Sequence, residues 1–265
     1  MFDSGVGGLT VLHECLVSLP EEDFVYLGDT AMFPYGTRDP ELLRERIRAI
    51  ATLLLEDGAK LLVIACNTAT SIGTDVAREV AADYAVEVVP VVEPQAEIAA
   101  AITDNARVGV LATPNTVVSG AYRLALEAQG RALEVTEVEA PDLAPFIQNG
   151  SHFDQGIVEM TRSYCAPLKR AGVDTLILGC THYPLVAPML QRILGRDVRL
   201  VSGGHAVAAA VQRTLASTNL ARAVDEEGEY RFLCSGDADS FRELGTRFLQ
   251  MPLGGVERLD IPAVG

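Results

Sequence analysis

The chain has 265 residues, 49% hydrophobic and 22% charged, which is enough apolar material for two packed domains and excludes a disordered chain. A formal net charge of −15 argues against DNA, RNA or an anionic membrane as the main partner, because phosphate binding needs clustered Lys and Arg. Five cysteines without a small-domain spacing fit reduced thiols in the cytoplasm better than a disulfide framework, and neither a signal peptide nor a membrane-spanning apolar run is expected.

In chain order, "FDSGVGGLTVLHE" reads as a glycine-rich turn and a helix, with almost no strand before them. A strand follows at 23–29, then a loop at 29–39 ("DTAMFPYGTRD"), broken by Pro34 and Gly36 and placed to cover a cleft. Next come a helix at 40–57, a strand at 60–66, a helix at 70–83 and strands at 86–92 and 107–113. Helices at 115–129 and 153–171 precede a strand at 174–180, a helix at 184–194, a strand at 197–202 and a helix at 204–219. The chain closes with a strand at 230–236 and a helix at 238–249, where Phe241, Leu244 and Phe248 share one face. Unbroken Val/Ile/Leu runs predict strands buried on both faces, as in a parallel sheet, so the fold class is α/β throughout.

Two segments resemble each other. "GAKLLVIACNTAT" (58–70) and "GVDTLILGCTHYP" (172–184) each carry a cysteine eight positions after a glycine, at the end of a strand. The repeat predicts two pseudo-symmetric open α/β domains, 1–92 with 205–265 and 93–204, joined near 92–94 and 202–204, with the active site in the cleft between them. Equivalence of the halves calls for an inner strand before Asp3. With only Met1 and Phe2 there, unpaired strand edges are expected.

The C-terminal ends of strands in open α/β sheets form the ligand crevice, which singles out Cys66 and Cys180. A following helix N-terminus is expected to lower a thiol's pKa from about 8.5 toward neutrality. Two thiols facing across a cleft serve as a disulfide, as metal ligands or as an acid–base pair. The last explains the symmetry best: taking a proton from one face of a carbon and returning one to the other needs a thiolate and a thiol. Asp3 and His182, at predicted strand ends of their own halves, are placed to tune one thiol each. Cys15, Cys165, Cys234, His13, His152 and His205 read as structural. "SGVGG" lacks the G-x-G-x-x-G spacing of a dinucleotide loop, and its glycines suit a tight turn and close backbone approach to a substrate. The two lysines, Lys60 and Lys169, sit at the wrong sheet end or face for a pyridoxal Schiff base, so no cofactor is expected.

"FDSGVGGLTVL", "YLGDTAMFPYGT", "ACNTAT", "GCTHYPL" and the tail "FLCSGDADSFRELGTRFL" resemble glutamate racemases of the aspartate/glutamate racemase superfamily, from Met1 to about Ile261. The resemblance implies a cytoplasmic homodimer without metal or cofactor that interconverts L- and D-glutamate and supplies D-glutamate for peptidoglycan. By position, Cys66 would exchange the Cα proton of D-glutamate and Cys180 that of L-glutamate, assisted by Asp3 and His182 respectively. Asp3, Ser4, Tyr35, Gly36, Asn67, Thr68, Thr181 and His182 match substrate-binding positions, and Thr113 and Thr116 would add carboxylate contacts from the second domain. His182 stands where aspartate-specific relatives commonly have Glu. Three departures stand out: the short start before Asp3, Gln148 in "PFIQNG" where the family usually has Glu, and "VSGGHAVA" (201–208) in place of a more acidic stretch. They leave open a racemase-like binding or regulatory protein with impaired turnover. A racemase of another acidic amino acid, such as aspartate, is the remaining alternative.

Overall fold

Strands and helices alternate along the computed structural model, which describes residues 1–149, 155–223 and 226–262. The chain runs β1 (Phe2–Asp3), α1 (Leu9–Ser18), β2 (Phe24–Gly28), α2 (Pro40–Glu56), β3 (Leu61–Ile64), α3 (Asn67–Ala82), β4 (Glu87–Pro90) and α4 (Val92–Ile102). It continues through β5 (Arg107–Ala112), α5 (Pro114–Val118), α6 (Ala121–Glu127), β6 (Glu134–Glu139), α7 (Leu143–Gln148), α8 (Gln155–Ala171) and β7 (Thr175–Gly179). The remainder is α9 (Ala187–Leu194), β8 (Arg199–Val201), α10 (Gly203–Thr218), β9 (Tyr230–Cys234), α11 (Ala238–Leu249) and β10 (Val256–Arg258).

Local chemistry accounts for many of these boundaries. Helix α2 starts where the Asp39 carboxylate accepts the Leu42 N–H and Pro40 supplies a preset φ. Its apolar face, Leu43, Ile47, Ile50, Ala51 and Leu54, then packs into the core. The helix expected over 115–129 divides into α5 and α6 because Gly120 takes a positive φ of 67° between them. The expected helix over 153–171 is described from Gln155 onward, its first two residues lying outside the described ones.

Among the described residues the strands form two sheets, ordered β10-β9-β2-β1-β3-β4 and β6-β5-β7-β8, and every ladder is parallel, as the apolar runs predict. Residues 2–90 and 230–258 supply the first sheet, residues 107–201 the second. Helix α10 packs on α1 and α4.

The strand before the glycine-rich turn is as short as the sequence suggests, two residues, and its ladders reach only Leu27 and Gly28 of β2 and Ile64 of β3. Phe2 and Asp3 are an inner strand, with Phe2 in register with Leu27 on one side and Ile64 on the other. Phe2 and Asp3 are wholly buried, and Met1 N donates to Val25 O at 2.8 Å. Beyond Met1 a cavity of about 400 Å³ is lined by Val25 of β2, Lys60, Leu61 and Val63 around β3, and Leu215 of α10.

Strands β4, β6, β8 and β10 lie at sheet edges, and of these β6 and β10 are not legible in the sequence. The "EVTEVE" of β6 is rich in charge, as suits an edge, and β10 is only three residues long. Among the described residues no helix is long and apolar enough to cross a membrane.

Candidate active site

Parallel strands bring their C-terminal ends to one side of each sheet. The residues there are Asp3 at the end of β1, Cys66 after β3, Thr113 after β5 and Cys180 after β7. Asp3, Cys66, Cys180 and His182 are all buried, with at most 8% of their surface exposed.

On the first side, the Asp3 carboxylate accepts the Gly5 N–H at 3.0 Å and the Thr181 hydroxyl at 3.3 Å, the second bond reaching across from the other sheet. Burial raises Asp3 to about 6, opposed by hydrogen bonds from Gly8, Gly5, Thr181 and the Cys66 thiol. Gly8 permits this packing: a Cβ there would stand 2.6 Å from Asp3 Cβ and 2.7 Å from the Tyr26 hydroxyl. A Cβ at Gly7 would stand 2.5 Å from the His182 ring, so this glycine-rich turn presses on the opposite half of the site.

Cys66 is the N-cap of α3, its sulfur accepting the Ala69 N–H at 3.4 Å. The helix terminus does not bring its pKa down, contrary to the expectation from sequence. Burial pushes the thiol up to about 12 and the adjacent Asp3 carboxyl adds to the rise, outweighing the bonds from Ala69 and Ser4.

Cys180 differs from Cys66 in its backbone setting. No α-helix begins directly after it; the 3₁₀ turn Tyr183–Val186 intervenes before α9. Burial again drives the thiol up, against bonds from His182 and Thr181. Its sulfur lies 3.8 Å from His182 Nδ1, while His182 Nε2 lies 3.0 Å from Gln148 Oε1. An amide oxygen only accepts, so Nε2 carries the ring proton and Nδ1 faces the thiol as an acceptor. Burial lowers His182 to about 3, and the Arg247 charge acts in the same direction. The ring is held between Phe33, 5.4 Å away, and Phe248, 5.1 Å away in an edge contact.

A cluster of hydroxyls joins the two sheets. Thr68 Oγ1 lies 2.9 Å from Thr113 Oγ1, which lies 3.1 Å from Thr116 Oγ1. Gly36 packs against Thr113, where a Cβ would come within 2.6 Å of the threonine Cβ. The 29–39 segment bridges both sides, because Asn115 Nδ2 donates to Tyr35 O at 3.0 Å and Arg38 O at 2.8 Å. Two of the expected substrate contacts are turned elsewhere. The Tyr35 hydroxyl donates to Asp29 at 2.6 Å, and the Asn67 amide donates to Gln95 and Tyr122.

Several residues around this site carry no sequence signal for it: Gln95 and Tyr122, Asp29 and Arg46, and Phe33 and Arg247, while Phe248 reads only as part of the apolar face of α11. Gln95, Tyr122, Asp29 and Arg46 are polar side chains that the fold buries, whereas Arg247 is exposed. Of the side chains read as structural, Cys15, Cys165 and Cys234 are buried free thiols. His13 Nδ1 meets Leu249 O at 2.9 Å and His205 pairs with Glu14 at 3.1 Å, while His152 lies outside the described residues. Among the described residues no group of three or more His, Cys, Asp or Glu converges as a metal site.

Two buried thiols thus lie at the carboxyl ends of two parallel sheets, Cys66 beside the Asp3 carboxylate and Cys180 beside His182 Nδ1. Residues 11–211 match the Asp/Glu/Hydantoin racemase family, to which the chain belongs. It is thus an amino-acid racemase, an isomerase. The chain is 39% identical to the glutamate racemase of Geobacter metallireducens over 264 residues, covering 99% of this chain and 96% of the relative. It is 42% identical to that of Mycobacterium tuberculosis over 258 residues, covering 97% and 94%. Superposed on a glutamate racemase isoform of Bacillus anthracis it has a TM-score of 0.93 at 31% identity, covering 99% of this chain and 97% of the other. A glutamate racemase of Francisella tularensis in complex with D-glutamate gives 0.92 at 30% identity, with the same coverage.

Proposed function

We propose that this racemase interconverts L- and D-glutamate by a two-thiol mechanism, without metal or cofactor, and supplies D-glutamate for peptidoglycan. One observation carries the reading: each buried thiol has its own acceptor, Asp3 for Cys66 and His182 for Cys180. Starting from D-glutamate, Asp3 takes the Cys66 proton and the thiolate removes the Cα proton. The C–H electron pair passes into the carboxyl group as an enediolate, and the Cys180 thiol delivers a proton to the opposite face. From L-glutamate the roles exchange, with His182 Nδ1 accepting the Cys180 proton. Thr68, Thr113 and Thr116 exchange their mutual hydrogen bonds for bonds to a substrate carboxylate, joined by Ser4, Thr181 and the Tyr35–Gly36 and Asn67 segments. Since these groups are buried, admission of glutamate requires the 29–39 segment to part from Asn115. The cytoplasmic location and homodimer belong to the same reading.

The test is proton exchange at Cα. Incubated in deuterated water with either enantiomer and no added cofactor, the purified protein is expected to incorporate deuterium and reach equal amounts of the two forms. Absence of exchange from glutamate, with exchange from aspartate, would overturn the substrate assignment. Absence from both leaves the regulatory reading standing.

The pH dependence follows from Asp3. Only its ionised form accepts the Cys66 proton, so kcat/KM is expected to fall as pH drops below about 6, by about tenfold per pH unit. The enantiomers are equally stable, so kcat/KM falls equally in both directions. His182, at about 3, adds no limb in this range. A pH–rate profile of the native protein and of Asp3→Asn, in which this limb should vanish, checks the assignment.

Gln148 makes a further distinction. Gln148→Glu places a carboxylate 3.0 Å from His182 Nε2, favouring the imidazolium and, through it, the Cys180 thiolate. The expected result is a rise of about three- to tenfold in kcat from L- to D-glutamate, with KM adjusting to keep kcat/KM equal in both directions. Steady-state kinetics measure it, and unchanged kcat values would show that the position does not tune Cys180.

A further inference from the structure

Gln95 lies on α4 with no exposed surface, outside both thiol segments. An amide side chain offers two donor hydrogens and an oxygen with two lone pairs, and all are used here. Oε1 accepts from Asn67 Nδ2 at 2.9 Å and from the Tyr122 hydroxyl at 2.5 Å. Nε2 donates to Leu178 O at 3.1 Å and to Val201 O at 3.2 Å. Asn67 also donates to the Tyr122 hydroxyl at 2.6 Å, closing a ring of three side chains.

The partners give this amide its meaning. Asn67 directly follows Cys66 and is the first residue of α3, whereas Leu178 is on β7, two residues before Cys180. Val201 ends β8, the strand beside β7. One side chain is therefore bonded to the segment that carries each thiol, across the two sheets. A thiol pair that must reach opposite faces of one carbon depends on such a fixed span, because misplacement by about 1 Å can cost about a hundredfold in rate.

We propose that Gln95 is a positioning residue that sets the Cys66 and Cys180 segments at the separation proton transfer requires. The proposal rests on the two-thiol racemase reading. Tyr122 supports it by holding both Asn67 and the Gln95 oxygen.

The test compares Gln95→Met, similar in size but without hydrogen bonds, with the native protein and with Tyr122→Phe. For Gln95→Met, kcat should fall about ten- to hundredfold in both directions with KM within about threefold of native. The primary isotope effect from α-deuterated glutamate should rise, because proton transfer becomes the slow step. Tyr122→Phe, which loses one hydroxyl, should shift kcat and the isotope effect the same way by less, and it decides the matter if Gln95→Met does not fold. A lower melting temperature with native kcat and isotope effect per folded protein would reduce Gln95 to a structural group and overturn the proposal. A raised KM at native kcat would overturn it as well. If the native protein exchanges no α-proton, the racemase reading fails first and this proposal with it.

Discussion

Cys66→Ser and Cys180→Ser are each expected to slow racemisation of glutamate by about a hundred- to ten-thousandfold, with the fold unchanged. Serine keeps the shape but is a far weaker acid than a thiol, so Asp3 and His182 can no longer draw its proton. In the proposed two-thiol mechanism one group is base and the other acid in each turnover, so loss of either blocks both directions. The melting temperature should move little, because both sites sit at strand ends rather than in a sheet interior. Racemisation and α-proton exchange, measured from each enantiomer, check the prediction. Full exchange from both enantiomers in both variants would exclude the two-thiol mechanism.

The second large effect is on stability. Asp29 is fully buried and accepts from Arg46 Nε at 2.8 Å and Nη2 at 2.7 Å, from Tyr35 at 2.6 Å and from Ser235 at 2.6 Å. Arg46 Nη1 also donates to Ile261 O at 3.1 Å, tying the C-terminal segment to α2. Arg46→Met removes the cation and leaves a buried carboxylate, which costs about 3–5 kcal/mol. Urea unfolding should show this as a lower midpoint. Asp29→Asn combined with Arg46→Met should recover part of the loss, since no unpaired charge remains. A loss below about 1 kcal/mol in Arg46→Met would mean that water reaches Asp29 and screens it. The same network holds the Tyr35 hydroxyl, so kcat or KM of the single variant should also change.

Much of the architecture was legible because buried parallel strands leave unbroken apolar runs, as "LLVI" and "TLILG" do. The edge strands β6 and β10 leave no such mark, the first because it alternates charge with Val and the second because it is three residues long, whereas β4 and β8, also at edges, are legible. Helix α4 begins at Val92, inside the 92–94 segment that the sequence suggests as a domain junction, and Pro94 in its first turn interrupts no hydrogen bond. In the site, the repeated cysteine segments pointed to Cys66 and Cys180, and residue type pointed to Asp3 and His182. Gln95 could not be found that way, since nothing local distinguishes a glutamine that links two sheets from one that faces water.

Composition, apolar periodicity and the two matched cysteine segments determined the α/β class, the parallel sheets and which thiols to compare. Only the tertiary structure decided the inner strand at Phe2–Asp3, the Nδ1 face that His182 turns to Cys180, and the direction in which each thiol is shifted. The division has a physical cause. Strand patterning is a local property of side chains, whereas a pKa or a buried amide's four bonds depend on groups brought together from distant parts of the chain. At Cys66 the local rule of the helix terminus pointed down, and burial by the folded chain carried the thiol up.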